Sequence, residues 1–112
     1  MFDRVVAHAR AQRIKSTNPL NGACVYRGPN GTKCFIGALI PDDKYEPRMD
    51  DENLSASSRI IQEAVGMDDS YLQAFIASKL QVIHDMHDPS SWEEKFEELA
   101  YAHDLTYTPP AT

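Results

Sequence analysis

The chain has 112 residues, of which 42% are hydrophobic and 25% are charged. This is the size and balance of one ordinary domain with a modest core, which excludes a multidomain enzyme. No apolar run reaches the roughly 18 residues of a membrane-spanning helix, and the first residues lack the basic and apolar regions of a signal peptide. We therefore expect a cytoplasmic protein with one globular domain over residues 1–105 and a flexible C-terminal tail over residues 106–112.

The predicted elements are an N-terminal helix, one β-hairpin and three further helices, which together form a single small α+β domain. Residues 2–15 carry an apolar stripe at helical spacing. Two β-prone runs, 23–27 and 32–36, flank a Gly-Pro-Asn-Gly turn signal, and this pattern predicts the hairpin. A symmetric hairpin would place Cys24 opposite Cys34, where oxidation could join them. In a reducing cytoplasm both are expected to be free thiols.

The stretch 42–53, which is rich in acidic residues, follows a short apolar segment that ends in proline. It is expected to be a long loop, and the sequence leaves open whether this loop is ordered or binds an ion. A helix is predicted over 54–65, with Asn53 or Ser55 as its cap and Gly66 as its stop.

Two more helices are predicted to complete the domain. The first, over 69–87, carries apolar residues at three- and four-residue steps that are expected to face the core. These residues are Leu72, Phe75, Ile76, Leu80 and Ile83. Ser90 or Ser91 begins the last helix, where Glu93 and Glu94 stand at capping-box distance.

The net charge of −6 conceals two halves of opposite sign, +5 over residues 1–40 and −11 over residues 41–112. The net negative charge disfavours direct binding to nucleic acid, which needs a basic surface. The acidic half could instead compete for a basic groove on a protein that itself binds nucleic acid. Two alternatives stay open. The halves could attract each other within one chain, or the basic first helix could meet the acidic last helix of another copy in a homodimer.

A zinc site is the first candidate for chemistry, because the chain offers two thiols and two imidazoles. A tetrahedral site would use Cys24, Cys34, His84 and His87. The cysteines stand ten residues apart, however, rather than the two to four that are typical of structural zinc sites. Both thiols can equally pack as small apolar groups. We therefore expect no cofactor and keep zinc as the alternative.

A cysteine hydrolase is the second candidate. Cys34 or Cys24 would be the nucleophile and His84 the base, with an aspartate to orient the imidazole. The candidate aspartates are Asp85, Asp88 and Asp104. The residue types are present, but their spacing does not show that they meet, so a non-enzymatic protein is favoured.

A partner-binding surface is the third candidate. Arg27, beside the glycine-containing turn, is placed to bind a carboxylate or phosphate through both arms of its guanidinium, and Tyr45 adds an aromatic ring. The last helix adds an acidic face formed by Glu93, Glu94, Glu97 and Glu98. The alternatives are that Arg27 pairs with the acidic loop of its own chain and that the glutamates form an ordinary solvated face.

Residues 24–45, CVYRGPNGTKCFIGALIPDDKY, resemble a family of small, largely uncharacterised proteins encoded by bacteriophages, prophages and bacteria. The shared pattern is Cys-x-Tyr-Arg-Gly-Pro-x-Gly-x-Lys-Cys-x-Ile-Gly-x-Leu-Ile-Pro-Asp. Residues 80–85, LQVIHD, followed by Trp92, are similar to the family's C-terminal pattern. Asp50 and Asp51 stand where the family often has Glu-Gly. The resemblance implies a phage or mobile-element setting and carries no activity onto particular residues.

Together these features predict a small acidic accessory protein of phage type that binds another protein stoichiometrically, as an inhibitor of a host defence or nucleic-acid-handling protein. It would act in the host cytoplasm, without a membrane partner. The alternative is a small cysteine- or zinc-dependent enzyme, or a zinc-stabilised domain, that uses Cys24, Cys34 and His84.

Overall fold

The computed structural model of the chain describes residues 1–67 and 71–110. Within these residues the backbone forms five α-helices and no β-strand. The helices are α1 (Phe2–Gln12), α2 (Arg48–Asp51), α3 (Arg59–Val65), α4 (Tyr71–Met86) and α5 (Trp92–Ala102). Short 3-10 helices lie at Pro29–Gly31, Gly37–Leu39, Asp42–Lys44 and Pro89–Ser91. None of the described helices is long and apolar enough to cross a bilayer.

The core forms where α1, α4 and α5 surround the chain segment 34–40. Phe35 is buried at its centre, with its ring centroid 4.7 Å from that of Trp92 and 5.5 Å from that of Phe96. Phe2 of α1 meets Phe96 edge-on at 6.1 Å. This aromatic cluster joins the first and last helices to a segment that is itself not a long helix.

The predicted β-hairpin is wrong, and with it the α+β fold. A turn does lie at the predicted place, since Gly28 N donates to Thr32 O at 2.8 Å, but the runs on either side of it do not pair. Cys24 instead forms an isolated antiparallel bridge with Thr17. The physical reason is that four consecutive residues from Cys34 onward are buried, whereas a half-exposed strand would bury every second one.

Two helix boundaries also differ from the prediction. The first helix ends at Gln12 rather than at residue 15, because Arg13 adopts a left-handed conformation with φ of 64°. The third helix is capped by Ser58, whose hydroxyl accepts a backbone N–H at 3.2 Å, and not by Asn53 or Ser55. Asn and Ser both favour the N-cap position, so N-cap propensity alone did not distinguish Ser58 from Asn53 and Ser55.

The acidic stretch 42–53 is not one long loop, because it contains the 3-10 helix Asp42–Lys44 and helix α2. Gly66 ends α3 in a left-handed conformation, as predicted. The predicted beginning of the next helix at residue 69 lies outside the described residues. Ser91 precedes α5 without a side-chain capping bond, since its own backbone is already helical.

Candidate functional site

The most concentrated set of chemically versatile side chains lies where the end of α4 meets the loop after α1. His84 Nδ1 and Asp85 Oδ1 are 2.8 Å apart, and Cys24 from the loop belongs to the same group, in which all ligand atoms lie within 4.8 Å of one another. Neither Cys34 nor His87 is part of this group. The thiol beside the predicted His84 and Asp85 pair is therefore Cys24, and the predicted zinc ligands do not all converge.

The hydrogen bonds of His84 determine which ring nitrogen carries a proton. Nε2 accepts the backbone N–H of Ser16 at 3.1 Å, inside the protein. A nitrogen that accepts a hydrogen bond carries no proton, so the neutral ring is protonated at Nδ1 and donates to Asp85. Both nitrogens are thus used within the chain. His84 could act as a general base or bind a metal ion only if one of these bonds broke.

The two cysteines are free and differ in burial. Burial, and after it the Asp85 carboxylate, raises the pKa of Cys24 to about 11. Burial raises the pKa of Cys34 to about 12, and its Sγ accepts the Gly37 N–H at 3.3 Å. Nucleophilic attack requires a thiolate. The raised pKa values therefore disfavour either cysteine as a nucleophile.

The Asp85 carboxylate interacts with each of the other side chains of this cluster. Gln81 Nε2 donates to Asp85 Oδ1 at 2.9 Å, alongside the bond from His84. Burial acts to raise the pKa of Asp85, but His84, Cys24 and Gln81 together hold it below its usual range. In a nucleophilic triad the imidazole interacts with both the thiol and the acid, whereas here the Asp85 carboxylate interacts with both the Cys24 thiol and the His84 imidazole. The arrangement suits the attachment of α4 to the loop better than catalysis.

Arg27 and Tyr45 contact each other and their own chain. The guanidinium carbon lies 4.9 Å from the centre of the Tyr45 ring. Its nitrogens donate to Gly37 O at 2.6 Å and to Ile40 O at 2.8 Å, and one lies 3.2 Å from Asp42 Oδ1. Arg27 therefore pairs with the acidic stretch of its own chain, which was the alternative to partner binding.

Glu93 is also engaged within the chain. Its two carboxylate oxygens accept from Arg10 at 2.6 and 3.0 Å, and Tyr107 donates to it at 2.7 Å. Arg10 further donates to Thr108 O at 2.6 Å. The basic first helix thus meets the acidic last helix in the same copy, and residues 107 and 108 of the predicted tail take part in that contact.

The other three glutamates of the predicted face are exposed on α5. Glu94, Glu97 and Glu98 lie at helical spacing with Tyr101, a large apolar residue that is almost fully exposed. Glu98 pairs at 3.3 Å with Lys95 of the same helix. These four residues, Glu94, Glu97, Glu98 and Tyr101, form what we call the α5 acidic surface.

The solvent-facing side of α4 is a second surface, which sequence reasoning missed. Of the described side chains of this helix, five are exposed, and they follow one another at steps of three and four residues. They are Leu72, Phe75, Lys79, Val82 and Met86, which we call the α4 stripe. Four of the five are large and apolar, with exposed fractions from 44% for Phe75 to 73% for Met86.

The apolar periodicity of α4 concealed this surface. Leu72 and Phe75 were predicted to face the core, but only the other three members of the predicted core stripe are buried. The prediction failed because α4 carries more apolar residues than one buried face can hold. The signal that could have revealed the surface is Val82 and Met86, which are apolar and lie outside the predicted core stripe.

Two grooves border the α4 stripe. A groove of about 310 Å³ lies beside Leu72, between the beginning of α1 and Leu105. A second groove of about 320 Å³ lies beside Val82 and is lined by Cys24 and Asp85. The cluster around Asp85 therefore forms one wall of a depression that adjoins the stripe.

Comparison of the chain with protein-family models, with curated proteins and with solved structures gave no significant match. The resemblance of residues 24–45 to a phage-encoded family therefore stays a prediction.

Proposed function

We propose that the chain acts by stoichiometric binding to another protein and that the α4 stripe is its principal contact surface. The observation that carries this proposal is the exposure of four large apolar side chains on one face of a helix whose opposite face is buried. Single exposed apolar residues are common on protein surfaces, whereas several of them on one helix face are typical of an interaction site.

The spacing of the stripe supports a helical mode of binding. Steps of three and four residues repeat the pattern of a coiled-coil seam, in which each side chain enters a gap on the facing helix. From Leu72 to Met86 the stripe extends about 21 Å along the helix. This length suits a partner helix of several turns, and the grooves beside Leu72 and Val82 could accept some of its side chains.

The α5 acidic surface supports a partner that also carries a basic surface. Its three carboxylates would attract such a partner during approach, and this attraction would weaken as salt is added. The phage-type resemblance makes a host nucleic-acid-handling or defence protein our proposed target, since proteins that bind nucleic acid carry basic grooves. Binding there would block the groove, which is inhibition without catalysis.

A position-dependent crosslinking experiment tests the proposal. A photoreactive benzoylphenylalanine is introduced at Met86 or, as a matched exposed control, at Leu20 in the loop after α1. The full chain is expressed in bacterial cells and irradiated. We expect a single adduct, with one partner per chain, from position 86 and none from position 20. The change Phe75→Gln should abolish the adduct.

Other results would contradict the proposal. Equal adducts from both positions would mean random collision, and no adduct from position 86 would remove the stripe as a contact surface. A product of twice the chain's mass would identify a second copy of the chain rather than another protein.

A further inference from the structure

Resting on the proposed function, we infer the chemistry of the partner: an amphipathic helix of another protein, with apolar residues at three- and four-residue steps and a carboxylate in the layer that faces Lys79. Lys79 is the central residue of the α4 stripe and its only charged member. The inference follows from what must happen to this ammonium group when the stripe is covered.

Lys79 carries its charge among apolar side chains. Its Nζ lies 5.3 Å from the centre of the Phe75 ring, close enough for an attraction between the cation and the ring. Among the residues that the structure describes, no carboxylate forms an ion pair with Lys79. In solution, water solvates the ammonium group, and the cost of leaving the charge unpaired is small.

Covering the stripe changes that cost. A purely apolar partner would remove water from around Lys79 and leave a charge without a hydrogen-bond acceptor, which is strongly unfavourable. A carboxylate on the partner would replace the lost water with a charge-assisted hydrogen bond. The neighbours of the stripe on α4 include Ala74, Ser78 and Gln81, which are neutral. They also include Asp85, whose carboxylate is already bonded to His84 and Gln81. Lys79 is therefore the charge on this helix face that a partner carboxylate can pair with.

A second copy of the chain fits the stripe less well. The stripe extends equally far on both sides of Lys79, to Leu72 and to Met86. Full antiparallel overlap, or parallel pairing in register, would therefore bring Lys79 against Lys79 of the other copy. Shifting the register to separate the two charges would leave Leu72 or Met86 uncovered. Each copy also carries a net charge of −6, which disfavours self-association.

The test uses three designed helical peptides as probes. Each has three heptads with Leu at the apolar positions, and the central apolar position is Glu, Gln or Lys. Binding to the full chain is measured by fluorescence anisotropy, at a concentration where the labelled peptide is monomeric. We expect the Glu peptide to bind about tenfold more tightly than the Lys peptide, with Gln between them.

Charge reversal on the protein provides the reciprocal measurement. The variant Lys79→Glu should reverse the preference, so that the Lys peptide binds more tightly than the Glu peptide. Lys44→Glu, at an exposed lysine outside the stripe, is the matched control and should leave the preference unchanged. Because the peptide series alters only the probe, its result does not depend on how the variants fold.

Three outcomes would overturn the inference. Equal affinity for all three peptides would show that Lys79 selects nothing, and binding of none of them would exclude a helix of this kind. A dimer in sedimentation that Val82→Asp dissociates would identify a second copy as the occupant. If position 86 still crosslinks to another protein in cells while no peptide binds, the inference fails and the proposed function stands. If neither occurs, both fail.

Discussion

The helical scaffold (α1, α4 and α5) and the irregular segment (residues 13–47) satisfy their backbone polar groups in different ways. In the scaffold, N–H and C=O groups pair within each helix, so the side chains are free to pack or to face solvent. In the irregular segment, side chains supply many of the partners. A buried segment without regular structure therefore requires polar side chains at fixed positions.

The scaffold itself supplies several of those side chains. Gln12 of α1 both accepts the N–H of Lys33 and donates to its C=O, at 2.9 Å each. Gln81 of α4 accepts the N–H of Ile36 at 3.2 Å. Asp50 of α2 accepts the N–H of Tyr26 at 2.7 Å. The irregular segment is therefore held in register by side chains from at least three helices, in place of a β-ladder.

The largest predicted effect compares the packing of the two regions. Phe35 belongs to the irregular segment and Phe96 to α5, and both are almost completely buried. If the irregular segment packs as tightly as the scaffold, Phe35→Ala and Phe96→Ala should each lower the free energy of unfolding by about 4 kcal/mol. Urea unfolding followed by circular dichroism measures both. Tyr101→Ala, at an exposed ring on α5, should change it by less than about 0.5 kcal/mol.

A much smaller loss for Phe35→Ala than for Phe96→Ala would contradict this comparison. It would mean that the irregular segment rearranges to fill the cavity left by the Phe35 side chain and contributes little to the stability of the core.

The same contrast explains what could be predicted from the sequence. Helices α1, α4 and α5 lie close to their predicted places, and Gly66 ends α3 as predicted, because apolar spacing and this glycine are local signals. Helix α2 was not predicted, and α3 begins five residues later than predicted. The irregular segment was predicted to contain a hairpin because residues 23–27 and 32–36 are β-prone. β-Propensity alone does not distinguish paired strands from buried segments that do not pair. The partners that hold the irregular segment, such as Gln81, lie far away in the chain. The group of Cys24, His84 and Asp85 was foreseen in part, but its hydrogen bond from Ser16 depends on tertiary packing.

The next prediction removes a side chain that supports the irregular segment. In Arg27→Met, the carbonyl group of Ile40 loses its donor, whereas that of Gly37 keeps the 3.2 Å bond from the Ile40 N–H. Because Ile40 and Gly37 are buried, the loss of these two hydrogen bonds from a charged donor should lower the free energy of unfolding by about 2 kcal/mol. Chemical denaturation measures the change, with Arg48→Met as the control. Arg48 is exposed and pairs with Glu46, so its loss should cost less than about 0.5 kcal/mol. Equal effects for the two variants would show that Arg27 acts as an ordinary surface charge.

The smallest predicted effect concerns Asp85, where the end of α4 meets the irregular segment. Its side chain is 36% exposed, so solvent weakens its contribution, and Asp85→Asn should cost about 1 kcal/mol at neutral pH. The pH dependence identifies the cause. Because the folded protein holds the pKa of Asp85 below its usual range, the carboxylate stabilises the fold above the pKa of the unfolded chain.

That stabilisation is lost as the pH falls through the lowered pKa of the folded state. The pKa of Glu93 is also lowered, chiefly by its hydrogen bond with Arg10, so the contribution of Glu93 to stability decreases over the same acidic range. The quantity to follow is therefore the difference between wild type and Asp85→Asn, since Glu93 is common to both proteins. This difference should be constant near neutral pH and shrink toward zero in acid. A difference that persists in acid would mean that Asp85 joins the two regions through its shape and hydrogen-bond geometry rather than through its charge.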